Sequence, residues 1–141
     1  MSRKDYNVDW ITGLDVKMAA KRGLLFCEEK ELLSILREQD TIGLVVRDDS
    51  DVVGYLIYSV LKDVGYSIIN VFTDPAHRRK GVATAMVDYL KSRIRRGRSV
   101  NALVEETNRP ALEFFKALKF CSTMARNSAD GPDWISFQYK A

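Results

Sequence analysis

Hydrophobic positions along this chain switch between a helical and a strand rhythm, and the switches predict its elements. Thr12-Gly13-Leu14-Asp15 reads as a capping box that opens a short helix ending at Gly23. From Glu28 to Gln39, Leu32, Leu33, Ile35 and Leu36 recur on the apolar side of a second helix. Thr41–Arg47 and Val52–Leu61 read as strands joined by the turn residues Asp48-Asp49-Ser50-Asp51. Tyr66–Thr73 is a third strand, closed by Asp74-Pro75 because proline discourages continued pairing. Helical spacing returns from Lys80 to about Arg95, where Val82, Ala83, Met86, Val87, Leu90 and Ile94 form a wide stripe. Val100–Glu105 is the next strand. Asn108 caps a helix that carries Pro110 in its first turn and ends near Lys119. Phe120–Ala125 and Trp134–Tyr139 are the last strands, flanking the turn Ala129-Asp130-Gly131-Pro132-Asp133. In the final one, Ile135, Phe137 and Tyr139 alternate with Ser136 and Gln138, the mark of a half-buried strand.

This order gives a mixed α/β layer on one central sheet. The strand–loop–helix–strand unit from Tyr66 to Glu105 is expected to be a right-handed crossover. Its loop then lies at a strand's carboxyl end, where open sheets of this class bind ligands. No repeat, low-complexity segment or linker interrupts the pattern, so residues 1–141 read as one domain.

Composition narrows the class. With 141 residues, 46% hydrophobic and 29% charged, the chain is long enough to bury a core without staples. Cys27 and Cys121 have no metal-binding or redox spacing, which fits a reduced, cytoplasmic protein; Cys121 is expected to pack as a small hydrophobe. Met1-Ser2-Arg3-Lys4-Asp5-Tyr6 lacks an apolar leader and no run of apolar residues is long enough to span a bilayer, so no membrane role is expected. His77 is the only histidine and the cysteines are distant, so no metal is expected. It sits in a loop beside Arg78, where neighbouring cations oppose its protonation.

The net charge of +3 is mild but unevenly placed. Lys91, Arg93, Arg95, Arg96 and Arg98 crowd a helix carboxyl end, where the dipole favours cations. The alternative is contact with an acidic partner such as RNA or a cofactor phosphate. No aromatics interleave with these cations, which argues against a stacking platform for nucleic acid.

The run Asp74-Pro75-Ala76-His77-Arg78-Arg79-Lys80-Gly81-Val82-Ala83-Thr84 puts three cations at a helix amino end. The dipole disfavours each there by about 0.3–1 kcal/mol. An anion over the helix start reverses that sign, because backbone N–H groups and cations then share one target. Gly81 removes a Cβ where a phosphate must approach the backbone.

Arg78-Arg79-Lys80-Gly81-Val82-Ala83 resembles the (Gln/Arg)-x-x-Gly-x-(Gly/Ala) signature of the GNAT family of N-acetyltransferases. Ile68-Ile69-Asn70-Val71-Phe72-Thr73-Asp74-Pro75 is similar to the strand entering that loop in the RimI-type branch, which acetylates ribosomal-protein amino termini. Glu106-Thr107-Asn108, with Phe114-Phe115 and Leu118-Lys119-Phe120, resembles the branch's second cofactor motif. The resemblance implies a mostly antiparallel sheet of about seven strands with helices on both faces. It implies acetyl-CoA as cofactor and a primary amine as acceptor: a protein amino terminus, a peptide or a small amine. Backbone groups of Val71, Phe72 and Thr73 would pair with the pantetheine arm and hold the thioester carbonyl. Arg78, Arg79, Lys80, Gly81, Val82, Ala83 and Thr84 would cradle the pyrophosphate. Asn108 would hydrogen-bond the cofactor, beside its reading as a plain N-cap.

Two positions depart from the pattern. RimI-type enzymes place a glutamate base where this chain has Leu103, and a tyrosine acid where it has Phe115. Alternation puts Asn101, Leu103 and Glu105 on one strand face, so Glu105 is a candidate base one pleat further on. Glu106 points to the other face but sits where the strand's register loosens. Either is otherwise a solvated strand-end carboxylate. Tyr55, Tyr58, Tyr66 and Tyr139 are candidate acids that the sequence alone does not place. Arg126-Asn127-Ser128-Ala129 lacks the branch's tyrosine-rich segment, which leaves the acceptor open. An acyl-CoA-binding module without catalysis, or an RNA- or ribosome-associated protein using the Lys91–Arg98 patch, are the competing readings.

Overall fold

The computed structural model describes residues 6–126 and 133–141. The elements are β1 (Val8–Trp10), α1 (Gly13–Lys21), α2 (Glu29–Arg37), β2 (Thr41–Asp48), β3 (Asp51–Leu61) and β4 (Gly65–Thr73), then α3 (Val82–Arg93), β5 (Ser99–Glu105), α4 (Arg109–Ala117), β6 (Cys121–Arg126) and β7 (Trp134–Lys140). The strands form one seven-stranded sheet in the order β1-β2-β3-β4-β5-β7-β6. The β4–β5 pair is parallel and the other five are antiparallel. The expected turn over residues 129–132 and the stretch 127–129 lie outside the described residues.

Periodicity located six of these strands. It missed β1, whose three residues Val8-Asp9-Trp10 are too few to show a rhythm; β1 pairs through Trp10 with Leu44 of β2. Cys121 is exposed rather than packed, because it begins β6 at the open edge of the sheet.

Local chemistry sets the helix ends. Thr12 Oγ1 accepts the Asp15 N–H at 3.2 Å, and the Asp15 carboxylate accepts the Thr12 N–H at 2.8 Å. Gly23 takes φ +68°, and the Leu24 N–H returns to the Ala19 carbonyl at 3.0 Å. The third helix starts at Val82 rather than Lys80, because Gly81 adopts a left-handed φ of 90°. Arg79 and Lys80 therefore belong to the loop.

Helices cover both faces. Val82, Met86, Val87 and Leu90 of α3 join Phe115 of α4 over Leu56, Val100, Val104 and Phe137 of the sheet. Val16 of α1 and Leu32 of α2 cover Tyr55 and Ile57 on the other face. A Cβ at Gly54 of β3 would collide with Val82 Cγ1. That close approach seats the first turn of α3 directly on the sheet.

A partly buried ion pair ties the amino-terminal elements together. Arg47 Nε and Nη2 donate to the two Asp15 oxygens at 2.7 and 2.6 Å, and Arg47 Nη1 reaches Asp9 at 3.0 Å. Burial alone would push the Asp15 carboxyl up, but the hydrogen bonds from Arg47 and Thr12 outweigh it and hold it below the usual carboxylate range. A depressed folded pKa stabilises the fold above the unfolded value of about 4 and is lost as pH falls through the folded value. Asp15→Asn is therefore expected to cost about 2–3 kcal/mol at pH 7, less than a fully buried pair because Arg47 is partly solvated. Thermal denaturation should show the difference from wild type shrinking below about pH 4.

Candidate active site

The site begins where β4 and β5 part. They pair only from Gly65↔Ser99 to Ile68↔Ala102. Just past that point the β3–β4 register jumps from Tyr58↔Ile68 to Ile57↔Asn70, so Ile69 is a bulged extra residue. Beyond the bulge β4 keeps its β3 partner as far as Thr73, while β5 turns to β7 alone. The peptide groups of β4 from Asn70 to Thr73 consequently have one side without a strand partner.

The chain then makes one 3-10 turn (Pro75–His77), capped by Asp74 accepting the Ala76 N–H at 3.3 Å. Asp74 is buried and receives Arg22 Nη2 at 2.7 Å. Burial opposes its ionisation, but the Arg22 hydrogen bond prevails and its carboxyl stays below the usual range. His77 is not ringed by cations as the sequence suggested. Its Nδ1 lies 3.4 Å from Asp74 and its Nε2 3.5 Å from Asp48.

Arg79 follows in a left-handed conformation, φ 65°, which a non-glycine residue adopts at a cost of about 1–3 kcal/mol. Arg78, Arg79 and Lys80 are exposed, and among the described residues none makes an ion pair. No side chain caps α3, so the N–H groups of its first turn also lack intrahelical partners. Unpaired cations and unpaired N–H groups thus gather at the amino end of α3.

A cleft of about 590 Å³ lies there, walled by Val71, Phe72, Thr73, Arg78, Arg79, Gly81, Val82, Ala83 and Thr84 together with residues of α4. Lys80 is not in its wall. A second cavity of about 250 Å³ fills the gap between the parted strands, lined by Asn70, Leu103, Glu105, Asn108 and Trp134. The two meet at Val71, Ala111 and Phe115. Asn108 caps α4, its Oδ1 accepting the Ala111 N–H at 3.3 Å, and borders the second cavity rather than the first. A diphosphate at the loop, with an amide-bearing arm running along the free edge of β4, fits this arrangement of donors.

The family model for the acetyltransferase (GNAT) family matches residues 7–120. The chain belongs to that family. GNAT enzymes use acetyl-CoA and acetylate amines. Among solved structures, the ribosomal-protein-S18-alanine N-acetyltransferase from Escherichia coli is 19% identical, with TM-score 0.75 over 95% of this chain and 92% of that one. The Ard1 structure from Thermoplasma volcanium is also 19% identical, with TM-score 0.74 over 95% and 96% of the two chains. Arabidopsis thaliana NAA60 in complex with acetyl-CoA is 16% identical, with TM-score 0.75 over 97% and 100%. No curated protein matches the sequence.

The positions of the proton-transfer candidates in this GNAT chain are uneven. Glu105 is half-buried in the wall of the second cavity and accepts a hydrogen bond from Thr107 Oγ1 at 3.2 Å. Glu106 is exposed, lines neither cavity, and its N–H donates to the Asp133 carbonyl at 2.9 Å. Leu103 stands in the same wall as Glu105 and is 45% exposed. Phe115 is buried among Phe114, Phe120 and Phe137.

None of the candidate tyrosines lines either cavity. Tyr55 stacks on Phe72, donates to the Leu24 carbonyl and accepts the Phe26 N–H, and burial pushes its phenol up to about 12. Tyr58, likewise buried, is pushed up to about 12. Sequence reasoning passed over Asn70 and Trp134. The available signal was a lone polar residue inside an apolar strand, and a tryptophan at the start of another.

The basic patch is largely used within the fold. Lys91 Nζ donates to the Leu118 carbonyl at 2.9 Å and lies over the Tyr139 ring. Arg93 covers the Tyr89 ring, and Arg98 pairs with Asp63 at 3.3 Å. The described residues hold no metal-ligand cluster, and none of their helices is long and apolar enough to cross a membrane.

Proposed function

We propose that this protein transfers the acetyl group of acetyl-CoA to a primary amine of low basicity, foremost the α-amine of a peptide or protein amino terminus. The parting of β4 from β5, with two cavities meeting at Val71 and Phe115, carries the reading. One cavity suits the acyl carrier, the other an acceptor approaching from the α1–α2 face.

Bound in the first cleft, the thioester supplies an electrophilic carbon and a thiolate leaving group with a reference pKa near 8.5. The chain's residues do the rest by position. The amide edge of β4 orients the arm and supplies donors for charge growing on the carbonyl oxygen. The loop at Arg79 and Gly81 fixes the diphosphate, which makes the attack effectively intramolecular. Glu105 takes the proton that the amine loses as its N–C bond forms and the C–S bond breaks.

With Leu103 in place of a carboxylate, the amine must largely deprotonate before reaching the site. At pH 7 that costs a lysine side chain about 4.6 kcal/mol and an α-amine about 1.4. The difference of about 3 kcal/mol corresponds to roughly a hundredfold preference for α-amines. Thiol release from acetyl-CoA should therefore be about 10²-fold faster with a free α-amine tetrapeptide than with an α-blocked lysine peptide at pH 7, and the gap should narrow as pH rises. Equal rates with both peptides across pH 7–9 would overturn the α-amine assignment. The second reading is a binding module without turnover, favoured by the burial of Phe115, an apolar ring at the position where the RimI-type pattern places a tyrosine. It predicts CoA binding with no thiol release from any amine.

A further inference from the structure

Two buried side-chain polar atoms among the described residues lack a hydrogen bond: His77 Nδ1 and Asn70 Oδ1. His77 Nδ1 still faces the Asp74 carboxylate at 3.4 Å. Asn70 Oδ1 has no such neighbour. A buried carbonyl without a partner carries its full desolvation penalty, and such groups in native proteins call for an explanation.

The place of Asn70 supplies one. It is the first residue after the bulge at Ile69, and it pairs with Ile57, which packs under α1 and α2. Phe72, two residues on, also packs on that face. The bulge has thus turned Asn70 toward the α1–α2 side of the sheet. Across the gap, Val100, Ala102 and Val104 of β5 join the opposite core, so Asn101, Leu103 and Glu105 share the face of Asn70. Asn70, Leu103 and Glu105 all line the cavity between the strands, with Ile69 and Trp134 completing an apolar rim.

Resting on the reading of this protein as an amine acetyltransferase, we infer that Asn70 Oδ1 is the hydrogen-bond acceptor for the incoming amine, and that Ile69, Leu103 and Trp134 receive an apolar substituent next to it. The Asn70 side chain lines the acceptor cavity, one residue before the β4 segment proposed to hold the thioester. A turn of its amide about χ2 brings the carbonyl, shielded from water as it stands, to the incoming amine. One amine N–H donates to Oδ1, which leaves the nitrogen lone pair free to face the acyl carbon. An acidic first residue is disfavoured by the apolar rim and by the Glu105 carboxylate.

The test compares wild type with Asn70→Leu, which keeps the shape and removes the acceptor, and Asn70→Asp, which keeps the acceptor. CoA affinity, melting temperature and thiol release are measured with Leu-initial and Asp-initial tetrapeptides. Asn70→Leu is expected to lower kcat/KM for the Leu-initial peptide about 10–100-fold, while CoA affinity and melting temperature hold. Asn70→Asp is expected to restore most of that loss and to move the acidic limb of the pH–rate profile upward, because a carboxylate favours the ammonium form. Wild type should prefer the Leu-initial peptide about tenfold or more. Asn70→Ala replaces the leucine variant if the latter does not fold.

Unchanged kcat/KM in Asn70→Leu, or parallel loss of amine turnover and CoA binding, overturns the assignment while leaving the acetyltransferase reading intact. Equal turnover of the two peptides overturns the apolar-substituent clause. A wild-type protein that binds CoA yet releases no thiol with either peptide or with phenethylamine overturns both readings.

Discussion

The double variant Arg79→Glu, Lys80→Glu is expected to bind CoA at least about a hundredfold more weakly than wild type and to melt no lower. The two effects have opposite signs for one reason. Both side chains are exposed and free of ion pairs among the described residues, so their removal breaks no contact that holds the fold. Placing carboxylates at the amino end of α3 complements the helix dipole and adds about 0.3–1 kcal/mol of stability. Toward a diphosphate, the same change removes charge-assisted hydrogen bonds worth about 1.5–3 kcal/mol each and adds repulsion. Arg79 should carry the larger share, because it lines the cleft and Lys80 does not. Isothermal titration with CoA beside a thermal melt reads both terms. Arg95→Glu, Arg96→Glu, at the far end of α3, serves as the control with the same charge change. Equal CoA affinity in the double variant and wild type would falsify the phosphate-binding role of the loop. Affinity that fell equally in the control would show a general charge effect instead of a site.

The elements with a clear rhythm were readable in advance. The stripe Val82, Met86, Val87 and Leu90 does bury as α3, and the Thr12–Asp15 box caps α1 with both reciprocal bonds. β1 escaped because three residues cannot establish a period, and its pairing comes from the register of β2. The loop at Gly81 could be read because cations at a helix amino end contradict the dipole, a local inconsistency visible in the sequence.

The acceptor side was harder for a physical reason. Strand alternation assumes an unbroken ladder, and the bulge at Ile69 shifts every later residue of β4 to the opposite face. From the sequence, Asn70 would share a face with Tyr66 and Ile68. In the fold it shares one with Leu103 and Glu105. His77 misled for a related reason: its neighbours in the chain are arginines, but its neighbours in space are Asp48 and Asp74, brought in by the β2–β3 turn and the 3-10 cap.

Glu105→Gln is expected to lower kcat about a hundredfold at pH 7 with little change in CoA affinity. Glutamine keeps the size and can still accept from Thr107, so the wall of the cavity should persist while the proton acceptor is lost. The fold loss should persist as pH rises toward the pKa of the α-amine, about 8. Both proteins draw on the same neutral share of the acceptor, and Glu105 acts only as the N–C bond forms. Leu103 provides the complementary change. It stands on the same strand face and is 45% exposed, so a carboxylate placed there by Leu103→Glu stays solvated and ionised. Combined with Glu105→Gln, it should recover a substantial part of the lost turnover, and recovery should be greatest with a lysine ε-amine, whose deprotonation is the most costly. If Glu105→Gln leaves the pH–rate profile untouched, no side chain acts as base, and turnover rests on the geometry of the parted strands and the anion loop alone. In that case Leu103→Glu in the otherwise wild-type protein should raise kcat by itself, because it would supply the first base the site has had.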